Sequence, residues 1–294
     1  MAHLDIPKTY KLFIGGQFPR TESGRVTAVE DRKGRVLANV CQASRKDFRN
    51  AVVAARKAQD GWADRAAFNR SQILYRLAEM LDGRRDQVGE EIRMQGFSAG
   101  AAEREVCLAV DRLVYYAGWC DKYQQVAGTV NPVSSPHFNF SVPEPMGVVG
   151  VICPDENSLA GLVSLVAPVI AGGNTCVALA SGRFPLCSIT FAEIVATSDV
   201  PGGVINLLTG HRSELLPHFA SHMDVNAIVH SGNNAEEIHI LQEGVVLNLK
   251  RVHIHRDVNW MKAGSQGPQF ILDCQEIKTT WHPVEVIKPK SGGY

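Results

Sequence analysis

The chain has 294 residues, 45% of them hydrophobic, with 30 basic and 30 acidic side chains and a formal net charge of +0. That length suits one large domain or two small ones; the neutral balance, without any Lys/Arg stripe, gives nucleic-acid binding no electrostatic support, and no segment approaches the roughly 20 apolar residues of a membrane helix. The seven cysteines (Cys41, Cys107, Cys120, Cys153, Cys176, Cys187, Cys274) are scattered and form no CxxC pair, which predicts reduced thiols rather than a disulfide frame or a zinc site.

The N-terminus, Met1-Ala2-His3-Leu4-Asp5, lacks the basic and then apolar stretch of a signal peptide, so a cytosolic setting is the expectation. Leu12-Phe13-Ile14 followed by Gly15-Gly16 reads as a strand and a turn, and residues 31–34 as a second turn. Ser44 with Asp47 three residues on is a capping-box signature. Phe48, Val52, Ala55, Ala58 and Trp62 follow it at helical spacing. Asn69 is placed to cap the next helix, striped by Ile73, Leu74, Leu77 and Leu81, and residues 106–123 form a third helical stretch. Tyr115, Tyr116 and Trp119 fall on that helix and predict packing.

Residues 137–142 alternate apolar and polar like a half-exposed strand, and the tail 283–287 does the same. Two such strands, distant in sequence, are expected to pair as a small sheet outside the main core. Between them the apolar runs 148–153, 175–179, 204–208, 226–230 and 247–255 alternate with helical segments 159–171, 185–197, 213–221 and 235–242. Continuous apolar strands joined through helices by short loops predict an α/β fold, a Rossmann-like parallel sheet with helices on both faces. Ligands in such sheets bind beyond the carboxyl ends of the strands.

These segments carry a resemblance. Pro145-Met146-Gly147-Val148-Val149-Gly150-Val151-Ile152-Cys153-Pro154 resembles the P-x-G-V-x-x-x-I-x-P-W-N segment of aldehyde dehydrogenases. Residues 167–175 resemble that family's A-P-A-L-A-x-G-N-T. Pro201-Gly202-Gly203-Val204-Ile205-Asn206 resembles its P-x-G-V-x-N, and Asn248-Leu249-Lys250-Arg251-Val252 its N-L-K-x-V. Ile14-Gly15-Gly16 and Trp62 with Arg70 and Leu74 fit its N-terminal region. The closest likeness is to the C-terminal, catalytically degenerate unit of the two-unit family 16 aldehyde dehydrogenases. The resemblance implies that the catalytic domain is absent, since the stretch after Val252 is too short for one. It also implies that residues 275–281 enter an oligomerisation strand. The chain divides accordingly into an NAD-binding-like domain over 1–260, to which 130–145 lends a β-arm strand, and a short linker with an oligomerisation strand over 261–294.

The family's chemistry needs a cysteine nucleophile, an oxyanion donor, a general base and a cofactor clamp. Cys274 alone follows Cys187, outside any G-Q-x-C setting, and reads as an inert small hydrophobe. His255 stands at the place of the general-base Glu, with both neighbouring glycines gone. Glu156 stands at the place of the oxyanion Asn, where a carboxylate opposes developing negative charge; Asn157 lies one place along. Leu179 replaces the Lys that contacts the adenosine ribose. Ser231 and Gly232 keep the shape of the family's F-T-G-S loop, where free N–H groups at a helix start can receive an anion, although a simple N-cap turn is the favoured reading there. His253 and His255, with His230 or His239, could offer imidazoles to a metal, but no local carboxylate or cysteine completes a set, and no metal site is expected. No residue is assigned to catalysis, and a cofactor is not expected, with weak NAD binding the alternative. Three functions compete: a silent scaffold or regulatory module that self-associates or docks on an active dehydrogenase unit, an NAD-dependent aldehyde oxidoreductase, and a nucleotide sensor.

Overall fold

The computed structural model describes residues 7–284. The chain opens with β1 (Thr9–Tyr10), β2 (Val26–Glu30) and β3 (Val36–Cys41), which form a sheet of order β1-β3-β2. Helices α1 (Arg45–Ala63), α2 (Ala67–Gly83), α3 (Arg85–Met94), α4 (Ala99–Trp119) and the short α5 (Tyr123–Ala127) follow, then strands β4 (Thr129–Asn131) and β5 (His137–Pro145). The alternating half comprises β6 (Val148–Ile152), α6 (Ser158–Ala171), β7 (Thr175–Leu179), α7 (Leu186–Thr197), β8 (Ile205–Leu208), α8 (Arg212–Ser221), β9 (Ala227–Ser231), α9 (Ala235–Gly244) and β10 (Arg251–His255). A single-turn α10 (Gln269–Leu272) and β11 (Gln275–Pro283) complete the described chain.

Strands β6 to β10 make one parallel sheet of order β10-β9-β6-β7-β8. Side chains alternate between its faces, as the pleat requires. Val149, Val151, Cys176 and Ala178 join the core under α2, α4, α6 and α7. Val148, Ile152, Val177 and Leu179 join the core under α1 and α8. Both faces are covered, which is why the strands read as unbroken apolar runs. Around the sheet, the capping box of α1 is formed as expected: Ser44 Oγ accepts the Lys46 and Asp47 N–H groups, and the Asp47 carboxylate accepts the Ser44 N–H at 2.8 Å.

Several local expectations are corrected. Asn69 does not cap α2: the helix starts at Ala67, and Asn69 lies in its first turn accepting from Arg65. Ala66 and Ala67 are good helix formers, so the helix begins before the polar residue. The stretch expected from 106 begins at Ala99, capped by Ser98. Residues 12–14 form no regular strand. Phe13 exchanges two hydrogen bonds with Leu207 of β8, at 2.9 and 2.8 Å, covering part of that open sheet edge. The fifth sheet strand is shorter than 247–255, because Val245–Leu247 is a 3-10 turn.

The arm is a three-stranded antiparallel sheet of order β11-β5-β4. Its β5–β11 pairing runs from Gln275↔Pro145 to Pro283↔His137. Two distant strands thus pair outside the main core, but the C-terminal partner lies at 275–283. The part of the expected 283–287 strand beyond Val284 lies outside the described residues.

Two glycine motifs meet backbone to backbone. Gly16 has φ +81°, and a Cβ on it would lie 3.0 Å from the Gly202 Cα; a Cβ on Gly202 would lie 2.7 Å from the Gly15 carbonyl oxygen. Neither residue admits a side chain at this approach.

Glu105 of α4 supplies the N-terminal cap of α6 from across the core. Its carboxylate accepts the Leu159 and Ala160 N–H groups at 2.9 and 3.2 Å. Burial raises its pKa, against the lowering effect of those two hydrogen bonds. Ionisation of Glu105 therefore opposes folding: its contribution is full below the unfolded carboxyl range and is lost as pH rises through the elevated value. Urea unfolding across pH is expected to show stability falling less steeply in Glu105→Gln than in the wild type as pH rises above the unfolded carboxyl range. Glu105→Ala, which orphans two buried N–H groups, is expected to cost about 1–3 kcal/mol.

Candidate functional site

Strands β6 and β9 are neighbours in the sheet although β7 and β8 intervene in the chain. The chain leaves β6 toward one edge of the sheet and β9 toward the other, so their following loops diverge. A crevice at such a switch point is the ordinary ligand site of an open α/β sheet. A cleft of about 370 Å³ opens there. It is lined by Pro154, Asp155 and Glu156 after β6, Arg212 at the start of α8, Ser231 to Asn234 after β9, Glu237 of α9, and His255, Asp257 and Val258 at the end of β10. The structure thus brings Glu156, Ser231, Gly232 and His255 together. Leu179 is elsewhere: it is fully buried in the core on the α1 face of the sheet.

The cleft carries four carboxylates against one guanidinium. Arg212 is itself committed: it pairs with Asp155 at 3.3 Å and Glu237 at 3.4 Å and donates to the Cys153 carbonyl. Glu237 also bonds His230 Nε2 at 2.9 Å, with the imidazole fully buried. Burial alone would raise the Glu237 pKa, but the His230 hydrogen bond and the Arg212 charge hold it below the usual carboxylate range. Glu156 is exposed, and its side chain makes no hydrogen bond among the described residues. Asn157 adopts a left-handed conformation at the N-cap of α6, with no side-chain cap bond.

The loop after β9 is satisfied from within. The Gly232 N–H donates to the His255 carbonyl at 3.2 Å, so it is not free to receive an anion. Ser231 Oγ accepts the Trp260 indole N–H at 2.9 Å. Asn234 Oδ1 takes the Glu236 and Glu237 N–H groups, capping α9, whose first turn carries both of those carboxylates. A dinucleotide of the kind the resemblance implies needs a ribose partner and open amides for its pyrophosphate. The residues here do not fit it: Leu179 is a core side chain, α9 is capped internally, and the surrounding charge opposes an anion.

Where the family would carry a catalytic domain, β10 leads through residues 256–268 directly to α10. Arg112 of α4, fully buried, holds that loop by donating to the carbonyls of Trp260, Lys262 and Ala263 at 3.3, 2.6 and 3.4 Å. Trp260 is buried, and its ring packs edge-on to His255 at 5.9 Å, while Phe270 lies 5.0 Å from His255 on another side. Burial lowers the His255 pKa, with Asp273 opposing and His253 and His230 adding to the shift. The imidazole is therefore a neutral, packed ring. No cysteine lines the cleft. Cys153, behind it, is fully buried with its thiol pushed up to about 12, and Cys274 is fully buried with its thiol raised by burial. Neither presents a thiolate. The histidines do not converge: His253 faces Asp273 at 3.6 Å, His230 is tied to Glu237, and His239 pairs with Glu243 on the exposed side of α9.

Sequence reasoning missed Arg212, Glu237, Trp260 and Glu105. Their roles depend on contacts across the fold, and no local motif marks them. The seven-residue step from His230 to Glu237 links a strand end to a helix turn, a spacing with no fixed geometry.

A profile of the aldehyde dehydrogenase family matches residues 18–260. Cytosolic 10-formyltetrahydrofolate dehydrogenase of Mus musculus is 29% identical over 92% of this chain and 30% of that protein. The mitochondrial benzaldehyde dehydrogenase of Antirrhinum majus is 30% identical over 91% of this chain and 49% of that protein. The solved NAD+ complex of an aldehyde dehydrogenase from Bacillus cereus superposes with a TM-score of 0.80 at 26% identity, over 85% of this chain and 51% of that one. The chain spans at most about half the length of these relatives. It belongs to the aldehyde dehydrogenase family.

Proposed function

We propose that this chain is a catalytically silent aldehyde-dehydrogenase-like scaffold or regulatory module that associates through its β-arm with a second copy, and that it works as part of, or partner to, an active two-unit dehydrogenase. The observation that carries the proposal is the internal closure of the cleft. Trp260 engages Ser231 and packs on His255, so the residues standing at the cofactor-loop and general-base positions are already partnered. The likeness to the degenerate unit of the family 16 enzymes, and the division into a 1–260 domain and a 261–294 linker and strand, belong to the same proposal. So does a cytosolic setting, which the seven free thiols support. Among the described residues no helix is long and apolar enough to cross a membrane.

Family membership favours a second reading, NAD-dependent aldehyde oxidation. The two are separated by assaying NADH formation with several aldehydes and titrating NAD calorimetrically. The silent module is expected to give no turnover and no saturable binding. A dissociation constant in the low micromolar range, about −8 kcal/mol, would revive the nucleotide-sensing alternative, and turnover that disappears in Cys274→Ala would establish an enzyme.

Association through the arm rests on its exposed surface. Val130, Phe138, Phe140 and Val142 share one face of the sheet. With α5 they line a groove of about 340 Å³. Among the described residues strands β4 and β11 are both edges of the arm sheet, and such edges pair readily with another chain. Light scattering at micromolar concentration is expected to show a dimer, converted to monomer by Val130→Asp with Phe138→Asp. Both side chains are exposed, so the fold should survive the change. A monomeric intact chain would refute the arm contact.

A further inference from the structure

Helix α8 starts at the cleft with Arg212 and runs about 15 Å to a second, separate pocket at its C-terminal end. This pocket has a volume of about 290 Å³ and lies between α8 and α1. Arg45 and Arg49 of α1, one helical turn apart, face His218 and His222, one turn apart on and just beyond α8. Phe48, buried, and Met223, largely exposed, give the pocket an apolar side; the Phe48 ring stands edge-on to His222 at 5.7 Å.

The electrostatics of this pocket are unbalanced. Neither the Arg45 nor the Arg49 side chain makes an ion pair or hydrogen bond among the described residues, whereas Lys46 between them pairs with Glu22 at 3.5 Å. No carboxylate lines the pocket. Asp224 lies beside it and donates its N–H to His222 Nδ1 at 3.2 Å, which leaves Nε2 to carry the imidazole proton in the neutral ring. Burial lowers the His218 pKa, with Arg45 adding to the shift. Burial also lowers that of His222, opposed by Asp224 and reinforced by Lys250, Arg49 and His218. Lys250, the remaining cation, is committed to the Phe219 and His222 carbonyls at 3.1 and 2.8 Å.

We propose that this pocket is a binding site for a phosphate group, free or on a small monoester, gripped by Arg45 and Arg49 and hydrogen-bonded by His218 and His222. Guanidinium forks match phosphate oxygens. A dianion beside His218 also stabilises its protonated form, so binding takes up a proton there and tightens as pH falls, while His222, whose Nδ1 accepts the Asp224 N–H, donates from Nε2 as the neutral ring. The volume lies at the lower end of small-molecule sites, roughly 300 Å³ upward, which excludes a whole dinucleotide and suits a phosphate with a small apolar or aromatic substituent against Phe48.

The test is calorimetric titration of the full chain at fixed ionic strength with three probes: phenyl phosphate, inorganic phosphate and sulfate. Saturable binding is expected for all three. Sulfate stays dianionic across the range, so its tighter binding at about pH 6 than at about pH 8 reports the histidine, and the pH dependence is expected to flatten in His218→Gln. Arg45→Gln with Arg49→Gln is expected to weaken every probe by at least about tenfold. Its melting temperature should be unchanged, because both arginines are exposed. Preference for phenyl phosphate over inorganic phosphate supports a monoester as the occupant, and equal affinity supports the free anion. No saturable binding of any probe up to about 10 mM, binding indifferent to pH, or binding unaltered in the double arginine variant would overturn the proposal.

Discussion

The carboxamide of Asn174 joins three parts of this fold. Fully buried, it accepts the Gly147 N–H at 2.9 Å and donates to the Cys274 carbonyl at 2.8 Å. Gly147 leads into the central strand β6, Asn174 itself leads into β7, and Cys274 leads into the arm strand β11. Gln275 reinforces the joint by donating to the Gly172 carbonyl at 3.1 Å. One side chain thus fixes the sheet, the end of α6 and the root of the arm relative to one another. Without the carboxamide the buried Gly147 N–H would lose its hydrogen-bond partner, at a cost of about 1–3 kcal/mol. Because the groups are mutually satisfied in a dry core, they specify a single arrangement as well as stabilise it.

Asn174 is one of three such clasps, and all sit at the amino ends of strands. Asn206, near the start of β8, accepts the Gly15 N–H at 2.9 Å and donates to the Cys176 and Gly203 carbonyls at 3.0 and 2.8 Å. Asn226, just before β9, accepts the Val148 N–H at 3.0 Å and the Arg56 guanidinium at 2.6 Å. Ligand chemistry in an open parallel sheet belongs at the opposite, carboxyl ends. The two sets of residues are therefore spatially separate. Side chains at the chemical end can be exchanged without touching a clasp, so the family's fold does not depend on which residues line the cleft.

This separation also explains what was legible in the sequence. The buried strands were visible because covering a sheet on both faces leaves continuous apolar runs, and the capping box at Ser44 and Asp47 was visible because its geometry is local. The Gly and Asn motifs carried the resemblance because each makes a backbone contact that few other residues can make. Helix α3 was not read: Arg85–Met94 is mostly polar and buries only Val88, Glu91 and Ile92, too sparse a stripe to register. Strand β2 was missed for the same reason, since its burial is confined to Val29; β3, which buries Ala38, Val40 and Cys41, was also not read. At the site, alignment by motif put Leu179 at a cofactor position, yet the strand pleat turns it into the core. Ser231 and Gly232 line the cleft, but their partners, Trp260 and the His255 carbonyl, come from the next strand and the loop beyond it, which no local pattern connects.

The residues around the cleft bond one another, and that bonding is coupled. Arg212 and Glu237, each only 15% exposed, hold one another at 3.4 Å while His230 bonds the same carboxylate. Removing one member of such a pair leaves an uncompensated charge, at a cost of about 3–5 kcal/mol when buried. Opening α9 to an anion would require displacing the Asn234 cap, releasing Gly232 from His255 and neutralising the carboxylates at 155, 156 and 257. The Ser231–Trp260 bond in turn ties the cleft to the loop that Arg112 organises. A single substitution therefore meets resistance from the rest of the network.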